Sequence, residues 1–408
     1  MASACAERGA APARRASRKI KVLHLTAVDD SVRFLLDDQL QWLVRSGYEV
    51  HAAASAGRHV EYIRHELDVP FHAVRMYRKV SLLRDALSLW DLVALFRRER
   101  FDVVHTHTLK PMLLGALAAR LTGVPIVVNT LRPYLQEHQP GRTRLLLSGI
   151  DRVMASLTTH VLAQNPDDVE RYLRLGICSA HKISPLGNGI DLDRFTPERV
   201  SAGQRTGFRR RHGIPDDALV VGMVGRYVKE KGYEEFFQAV ARLASRNSRL
   251  YFLTAGSALP SDRGGLPEDL AFRHGLDGRG ARLGHRDDLR VIYASINVLL
   301  FPSHRESFPR VPMEAAAMAV PAVITATSGG RACVRHGENG FVVPVGDVDA
   351  MVECTQRLLD DEPRRRAMGL AARELAAREF DQRRVFRRVV ECYRRLLARQ
   401  EEVVRCTR

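Results

Sequence analysis

The chain has 408 residues, 45% hydrophobic and 27% charged, the composition of a soluble, core-forming protein and not of a membrane-spanning one. Its length exceeds what a single core usually organises, so two domains are expected. Lys+Arg 63 against Asp+Glu 47 gives a net charge of +16, which favours polyanions such as nucleic acid, an anionic bilayer or phosphorylated small molecules. Six scattered cysteines without a Cys-x-x-Cys pair argue against a disulfide framework or a cysteine zinc site, and for a reducing, cytoplasmic compartment.

Residues 1–18 are Ala/Arg-rich with no apolar stretch, and are expected to form a disordered basic tail that is neither signal peptide nor anchor. Residues 20–25 open the ordered part as a strand. A helix over 32–45 follows, with Gly47 as its terminator, then a strand over 48–53. Within 79–100, Leu83, Ala86, Leu87, Trp90, Val93 and Ala94 form a helical stripe bounded by Arg75, Arg78, Lys79, Arg97, Arg98 and Arg100. The expected reading is a helix packed on the first sheet; the alternative is a basic amphipathic helix in a bilayer interface.

Strands over 101–107 and 124–130 continue the series, with a helix over 112–121 between them. A second basic stretch runs from Arg132-Pro133-Tyr134 through Arg142, Arg144 and Arg152. The turn-rich segment 184–197 reads as a domain joint, after which a second alternation begins. Its strands are expected over 219–224, 250–254, 298–301 and 322–325, and its helices over 233–244, 287–294 and 348–359. Pro363 suits the first position of a further helix, and the chain then reads as helical and arginine-rich to about Arg399, interrupted near Phe380-Asp381. Strands alternating with helices predict an α/β fold of two doubly wound Rossmann-like domains, with a cleft where strand ends converge. The boundaries expected are 19–195, 196–375 and a C-terminal helical segment, 376–408, packing back toward the first domain.

Two features carry chemistry. Gly225-Arg226 and Lys231-Gly232 follow the strand at 219–224, placing two cations before a helix start, where a phosphate would be favoured. The run Glu306-Ser307-Phe308-Pro309-Arg310 through Glu314 follows the strand at 298–301, with Glu306 in the loop and Glu314 at the start of a helix. Acceptor-only carboxylates at strand ends can grip the hydroxyls of a sugar or ribose. On spacing alone, Glu314 complementing the helix dipole and a solvated Glu306 is the simpler reading.

The ordered set of motifs reverses that preference. Gly225-Arg226, Lys231-Gly232 and Glu306-x7-Glu314 resemble the retaining, nucleotide-sugar-dependent family 4 glycosyltransferases of the GT-B fold. The segments 185–195, 283–288 and 337–344, and His105-Thr106-His107-Thr108, also fit that family. The wording of 306–318 and the His-Thr-His-Thr strand end look like the branch building bacterial polysaccharides and glycoconjugates. The resemblance spans about 20–380.

It implies that 19–195 is the acceptor-side domain and 196–375 the nucleotide-sugar-binding one. Arg226 and Lys231 would hold the donor diphosphate, Glu306 the donor sugar's hydroxyls and Glu314 the ribose. The backbone at Phe308, Pro309 and Arg310, with Gly225, would line the donor. His107 would sit beside the anomeric carbon, whereas His105, deeper in the strand, reads as a core histidine. It further implies a metal-independent hexosyl- or N-acetylhexosaminyltransferase with no cofactor beyond a nucleotide sugar, by family frequency UDP-linked. The acceptor would be a glycan, a lipid-linked or a small molecule, and an anionic membrane surface on the inner face a further partner. Nucleic acid is not an expected partner; the alternatives are a nucleotide-sugar epimerase of the same fold and a basic nucleic-acid-binding protein.

Asp191-x-Asp193 and Asp347-x-Asp349 resemble metal motifs but are expected to be structural. His105-x-His107 has no evident carboxylate or cysteine partner, so a metal is not expected there. The sequence departs from the family at the first strand's end, which lacks a glycine-rich loop, and at Pro309, Asn297, Ala319 and Ala332.

Overall fold

The computed structural model describes residues 18–77, 81–132, 141–258, 262 and 265–406. Most of the expected basic tail, Arg78, Lys79, Pro133 and Tyr134 lie outside them. Two wholly parallel sheets organise the chain. The first contains β1 (Lys21–Val28), β2 (Glu49–Ser55), β3 (Phe71–Ala73), β4 (Val103–His107), β5 (Ile126–Leu131), β6 (His160–Ala163) and β7 (Ile183–Pro185), in the order β3-β2-β1-β4-β5-β6-β7. The second contains β8 (Leu219–Val224), β9 (Leu250–Ala255), β10 (Gly280–Arg282), β11 (Val298–Phe301), β12 (Ala322–Thr325) and β13 (Gly340–Val343), in the order β10-β9-β8-β11-β12-β13. Both orders reverse beside the first strand of their sheet, as expected of doubly wound folds. By contact density the chain divides into two compact units, residues 1–127 and 128–408.

Apolar runs form these strands because both sheet faces are buried. In β8, Val220 and Val224 enter one core cluster while Val221 and Met223 enter another; in β11, Leu299 and Phe301 alternate with Val298 and Leu300 in the same way. The helices over Tyr233–Ala244 and Val348–Asp360 cover one face with Phe236, Phe237, Val240 and Leu358. The other face receives Met313, Ala316 and Ala372 from the helices Arg310–Ala317 and Glu362–Glu379. Pro363 takes the second position of the latter, behind Asp361, whose carboxylate caps it.

Three expectations change. The helix expected over 32–45 starts at Asp29 and contains a π-helical turn, Val32–Leu36, before continuing as Asp37–Arg45. Where a glycine-rich loop was missing, β1 runs directly into this helix. The Asp29 carboxylate there accepts the His59 backbone N–H at 2.7 Å.

The stripe on the helix Leu82–Glu99 does not pack on the sheet. Ser88, Leu92, Leu95 and Phe96 are buried, while Leu83 is 83% exposed and Trp90 70%. Both sides of this helix are apolar, so periodicity alone does not say which one turns inward. No helix among the described residues is long and apolar enough to cross a membrane.

Finally, Glu314 lies one turn inside the helix Arg310–Ala317, whose first turn holds no acidic residue. Complementing the helix dipole is therefore not its role.

Candidate functional site

The site begins at the carboxyl end of β8. Lys231 closes a short 3₁₀ turn, Lys229–Lys231, and Gly232 turns the chain into the helix Tyr233–Ala244 with φ +80°. A Cβ at 232 would stand 2.2 Å from the Pro302 carbonyl, so only glycine lets the turn lie against the end of β11. That approach brings Lys231 Nζ within 2.5 Å of Glu306 Oε1, both side chains largely buried. The two motifs separated by 75 residues are thus one contact.

Arg226 is half exposed, and its guanidinium donates to Asp262, a partner that sequence reasoning missed. No local pattern marks Asp262, which is a lone acid in a loop. Gly225 anchors this turn: its N–H donates to the Ala255 carbonyl at 2.9 Å, and its carbonyl accepts the Tyr233 hydroxyl at 2.8 Å.

The loop 306–309 is held from several sides. Gly329 N–H donates to the Glu306 carbonyl at 3.1 Å. A Cβ at 329 would meet the Ser307 carbonyl at 2.3 Å, which explains the small residues that open the helix Ser328–Cys333. Asn188 Nδ2 donates to the Phe308 carbonyl at 2.7 Å, and the Ser307 hydroxyl donates to the Arg132 carbonyl. Pro309 sits at φ −73°, the angle its own ring imposes, so the proline needs no strained backbone. Glu314 is buried, and Oε2 accepts the Tyr293 hydroxyl at 2.9 Å. Burial raises its pKa, opposed by Arg310, whose Nε lies 3.7 Å away, and by Tyr293.

His107 ends β4 and is 2% exposed. Its Nε2 lies 3.0 Å from His24 Nδ1 on the neighbouring strand, and His105 stacks on it at 4.4 Å. His24 was not singled out by sequence reasoning; its register with His105 across β1 and β4 brings it in. The missing third partner of His105-x-His107 is therefore a histidine. The three ring nitrogens lie within 4.8 Å of one another, a set that could hold a metal ion, although it contains no carboxylate or thiol. His51, His72 and Glu99 form a second such group, but Lys21 Nζ already stands 2.7 Å from Glu99. Directly after His107, Thr108 adopts φ +69° and ψ 154°, a conformation costing a β-branched residue about 1–3 kcal/mol. Such strain concentrates where a side chain must be aimed.

The misleading acidic strings are structural as expected. Asp191 Oδ1 accepts the N–H groups of Asp193 and Arg194, and Asp347 caps the helix Val348–Asp360. Asn297 accepts from the Val220 N–H at 2.8 Å and from Arg209 at 3.3 Å, so its amide does the acceptor work of the usual aspartate.

Comparison with known proteins matches this architecture in both halves. The family model for glycosyl transferases group 1 matches residues 204–375, and that for the glycosyl transferase 4-like domain matches 36–189. A D-inositol 3-phosphate glycosyltransferase of Xylanimonas cellulosilytica is 32% identical over 69% of this chain and 68% of its own. The chain belongs to the family 4 GT-B glycosyltransferases. It is similar to the capsular polysaccharide biosynthesis glycosyltransferase CapM of Staphylococcus aureus, 28% identical over 93% of this chain and 98% of that protein. An Escherichia coli UDP-Gal:alpha-D-GlcNAc-diphosphoundecaprenol alpha-1,3-galactosyltransferase is 28% identical over 72% of this chain and 75% of its own. Anabaena HepE, solved in complex with UDP, shares the fold with a TM-score of 0.76, 20% identity, and coverage of 92% and 99%. The glycosyltransferase thus falls in the bacterial polysaccharide branch of its family.

Proposed function

We propose that this glycosyltransferase moves a sugar from a UDP-linked donor to a glycan or lipid-linked acceptor, with net retention and without a metal. The observation that carries the reading is the Lys231–Glu306 contact. A cation suited to a departing phosphate and a carboxylate suited to sugar hydroxyls meet at one point, where the sugar–phosphate bond of a nucleotide sugar would lie. Lys231 and Arg226 would hold the diphosphate and stabilise the charge that develops on it. Glu306 would hold the sugar, and Glu314 the ribose. The acceptor oxygen would form the new bond to the anomeric carbon as the carbon–phosphate oxygen bond breaks. The departing phosphate would keep the electron pair and take the acceptor's proton on the same face. His107 is assigned to the reacting carbon by its place in the His-Thr-His-Thr motif. Two fixed cations supply the electrostatic work that a divalent ion does elsewhere.

The E. coli relative's UDP-galactose donor and diphosphoundecaprenol acceptor support the choice of UDP and of a lipid-linked acceptor. The exposed leucines and tryptophan of the helix Leu82–Glu99, with Arg97 and Arg98 in its last turn, support docking on an anionic bilayer surface. Thermal shift against nucleoside diphosphates and their sugars tests the donor. UDP and a UDP-sugar should stabilise the protein, and transfer should persist in EDTA with the donor's anomeric configuration in the product. Preference for a guanine nucleotide, or an inverted product, would overturn the respective part. Flotation with anionic but not neutral liposomes, lost in Trp90→Ser, tests the membrane surface.

A further inference from the structure

Two arginines of this protein, Arg209 and Arg365, are buried among the described residues and hold their guanidiniums on backbone carbonyls. Arg209 donates to the carbonyls of Ser295, Asp216 and Ala218 at 2.9–3.2 Å, and Arg365 to those of Leu358 and Leu359 at 2.9 and 3.1 Å. That is the ordinary way to hold a guanidinium away from water. Arg132 and Arg310 are partly exposed, and they depart from it at Nε. The Nε of each is sealed from solvent and has no hydrogen-bond partner among the described residues. The nearest carboxylate to Arg310 is Glu314 at 3.7 Å, which already accepts from Tyr293.

Both arginines flank the same loop. Arg132 directly follows β5, and its carbonyl receives the Ser307 hydroxyl; Arg310 is the first residue of the helix Arg310–Ala317. A cation there faces the positive end of the helix dipole. The Arg132 guanidinium is pushed down to about 10, by burial and then by the charge of Arg310. Two arginines and a helix N-terminus therefore flank one loop, and among the described residues the carboxylate beside Arg310 is Glu314.

We propose that Arg132 and Arg310 form an oxyanion-binding subsite that receives a phosphate or carboxylate group of a substrate through cations other than Arg226 and Lys231. Two planar forks around one loop suit bidentate recognition of such a group. The glycosyltransferase reading enters only in naming the sources: the phosphate of an acceptor, or the carboxylate of an acidic donor sugar.

The test is calorimetric titration of inorganic pyrophosphate into the full-length protein saturated with UDP. Wild type should bind it, and Arg132→Gln and Arg310→Gln should each bind it at least about tenfold more weakly, Arg132→Gln while keeping UDP affinity within about twofold. In phosphate-free buffer Arg132→Gln should melt no lower than wild type, since a repulsive charge is gone, and pyrophosphate should raise the melting temperature of wild type only. Arg132→Lys, which keeps the charge but not the fork, should fall between.

Failure of UDP-loaded wild type to bind pyrophosphate, or unchanged binding in both variants, overturns the subsite. So does a loss of UDP affinity in Arg132→Gln equal to its loss for pyrophosphate, which would put Arg132 on the donor diphosphate. If UDP does not bind wild type at all, the donor reading fails, and the same titration without UDP still decides the subsite. A preference for UDP-glucuronate over UDP-glucose that disappears in Arg132→Gln identifies the donor as the source; no such preference alongside pyrophosphate binding identifies the acceptor.

Discussion

Lys231 Nζ and Glu306 Oε1 are 2.5 Å apart, so the cation and the carboxylate assigned to opposite sides of the donor bond neutralise each other. A donor diphosphate must compete with Glu306 for the ammonium. Glu306→Gln removes the competitor while keeping the side chain's shape. UDP, which lacks the donor sugar that residue 306 would hold, should bind the variant at least as tightly as wild type. Sugar transfer should fall by about 100-fold or more, equivalent to about 3 kcal/mol of transition-state stabilisation. Calorimetry with UDP and initial rates with the UDP-sugar check this; a parallel loss of both would place Glu306 in phosphate binding instead.

Asp262 plays the corresponding part for Arg226. Arg226 is half exposed, so its end of the pair is screened, and Asn at 262 keeps the shape of the largely buried Asp262 side chain. Asp262→Asn should leave the melting temperature within about 1 °C, because a pair worth under about 1 kcal/mol moves it little. UDP binding should tighten about two- to tenfold and depend more steeply on salt. Weaker UDP binding would mean that Asp262 positions Arg226 and does not compete for it.

The pH dependence of donor binding should be set by Glu314. Burial raises its pKa, and the hydrogen bond from Tyr293 opposes that rise. Ribose hydroxyls need the acceptor-only carboxylate, so UDP affinity should fall as pH drops through this raised pKa. In Tyr293→Phe the opposing bond is gone, and the fall should begin at a higher pH. For stability the sign is opposite: a carboxyl with a raised folded pKa favours folding at low pH and loses that contribution as pH rises. Tyr293→Phe should therefore lose more stability at neutral pH than at acid pH, about 1–2 kcal/mol in all. UDP titrations and denaturant melts across pH 4–8 check both; superimposable affinity profiles would remove Glu314 from the ribose.

Ala319, where relatives usually have glycine, has φ +57° at the end of the helix Arg310–Ala317. The left-handed region costs an L-residue about 1–2 kcal/mol, against roughly 0.5–1 kcal/mol of extra chain entropy for glycine. Ala319→Gly should accordingly stabilise the protein by about 0.5–1 kcal/mol without changing UDP affinity. Urea denaturation resolves a gain of that size, and a destabilised variant would contradict it.

The second domain was the more legible half. The strands Leu219–Val224, Val298–Phe301 and Ala322–Thr325 and the helix Tyr233–Ala244 have the ends expected from sequence. Their apolar runs are bounded by turn residues and buried on both faces, a pattern complete within each segment. The three-residue strands β3, β7 and β10 were missed, since segments so short carry no periodicity. The helix Leu82–Glu99 was recognised but its inward face was not, because leucines occur on both sides.

Legible in the sequence were the alternation of strands and helices, the family, the turn that carries Arg226 and Lys231, the loop of Glu306 and the helix of Glu314. Those are properties of contiguous residues, where local burial and turn chemistry act. That Lys231 meets Glu306, that Asp262 meets Arg226, that His24 completes the histidine cluster, and that Arg132 and Arg310 flank one loop follows from three-dimensional packing. Each of those relationships joins residues distant along the chain, and its partner is selected by strand register and close glycine packing. No spacing rule along the chain encodes either.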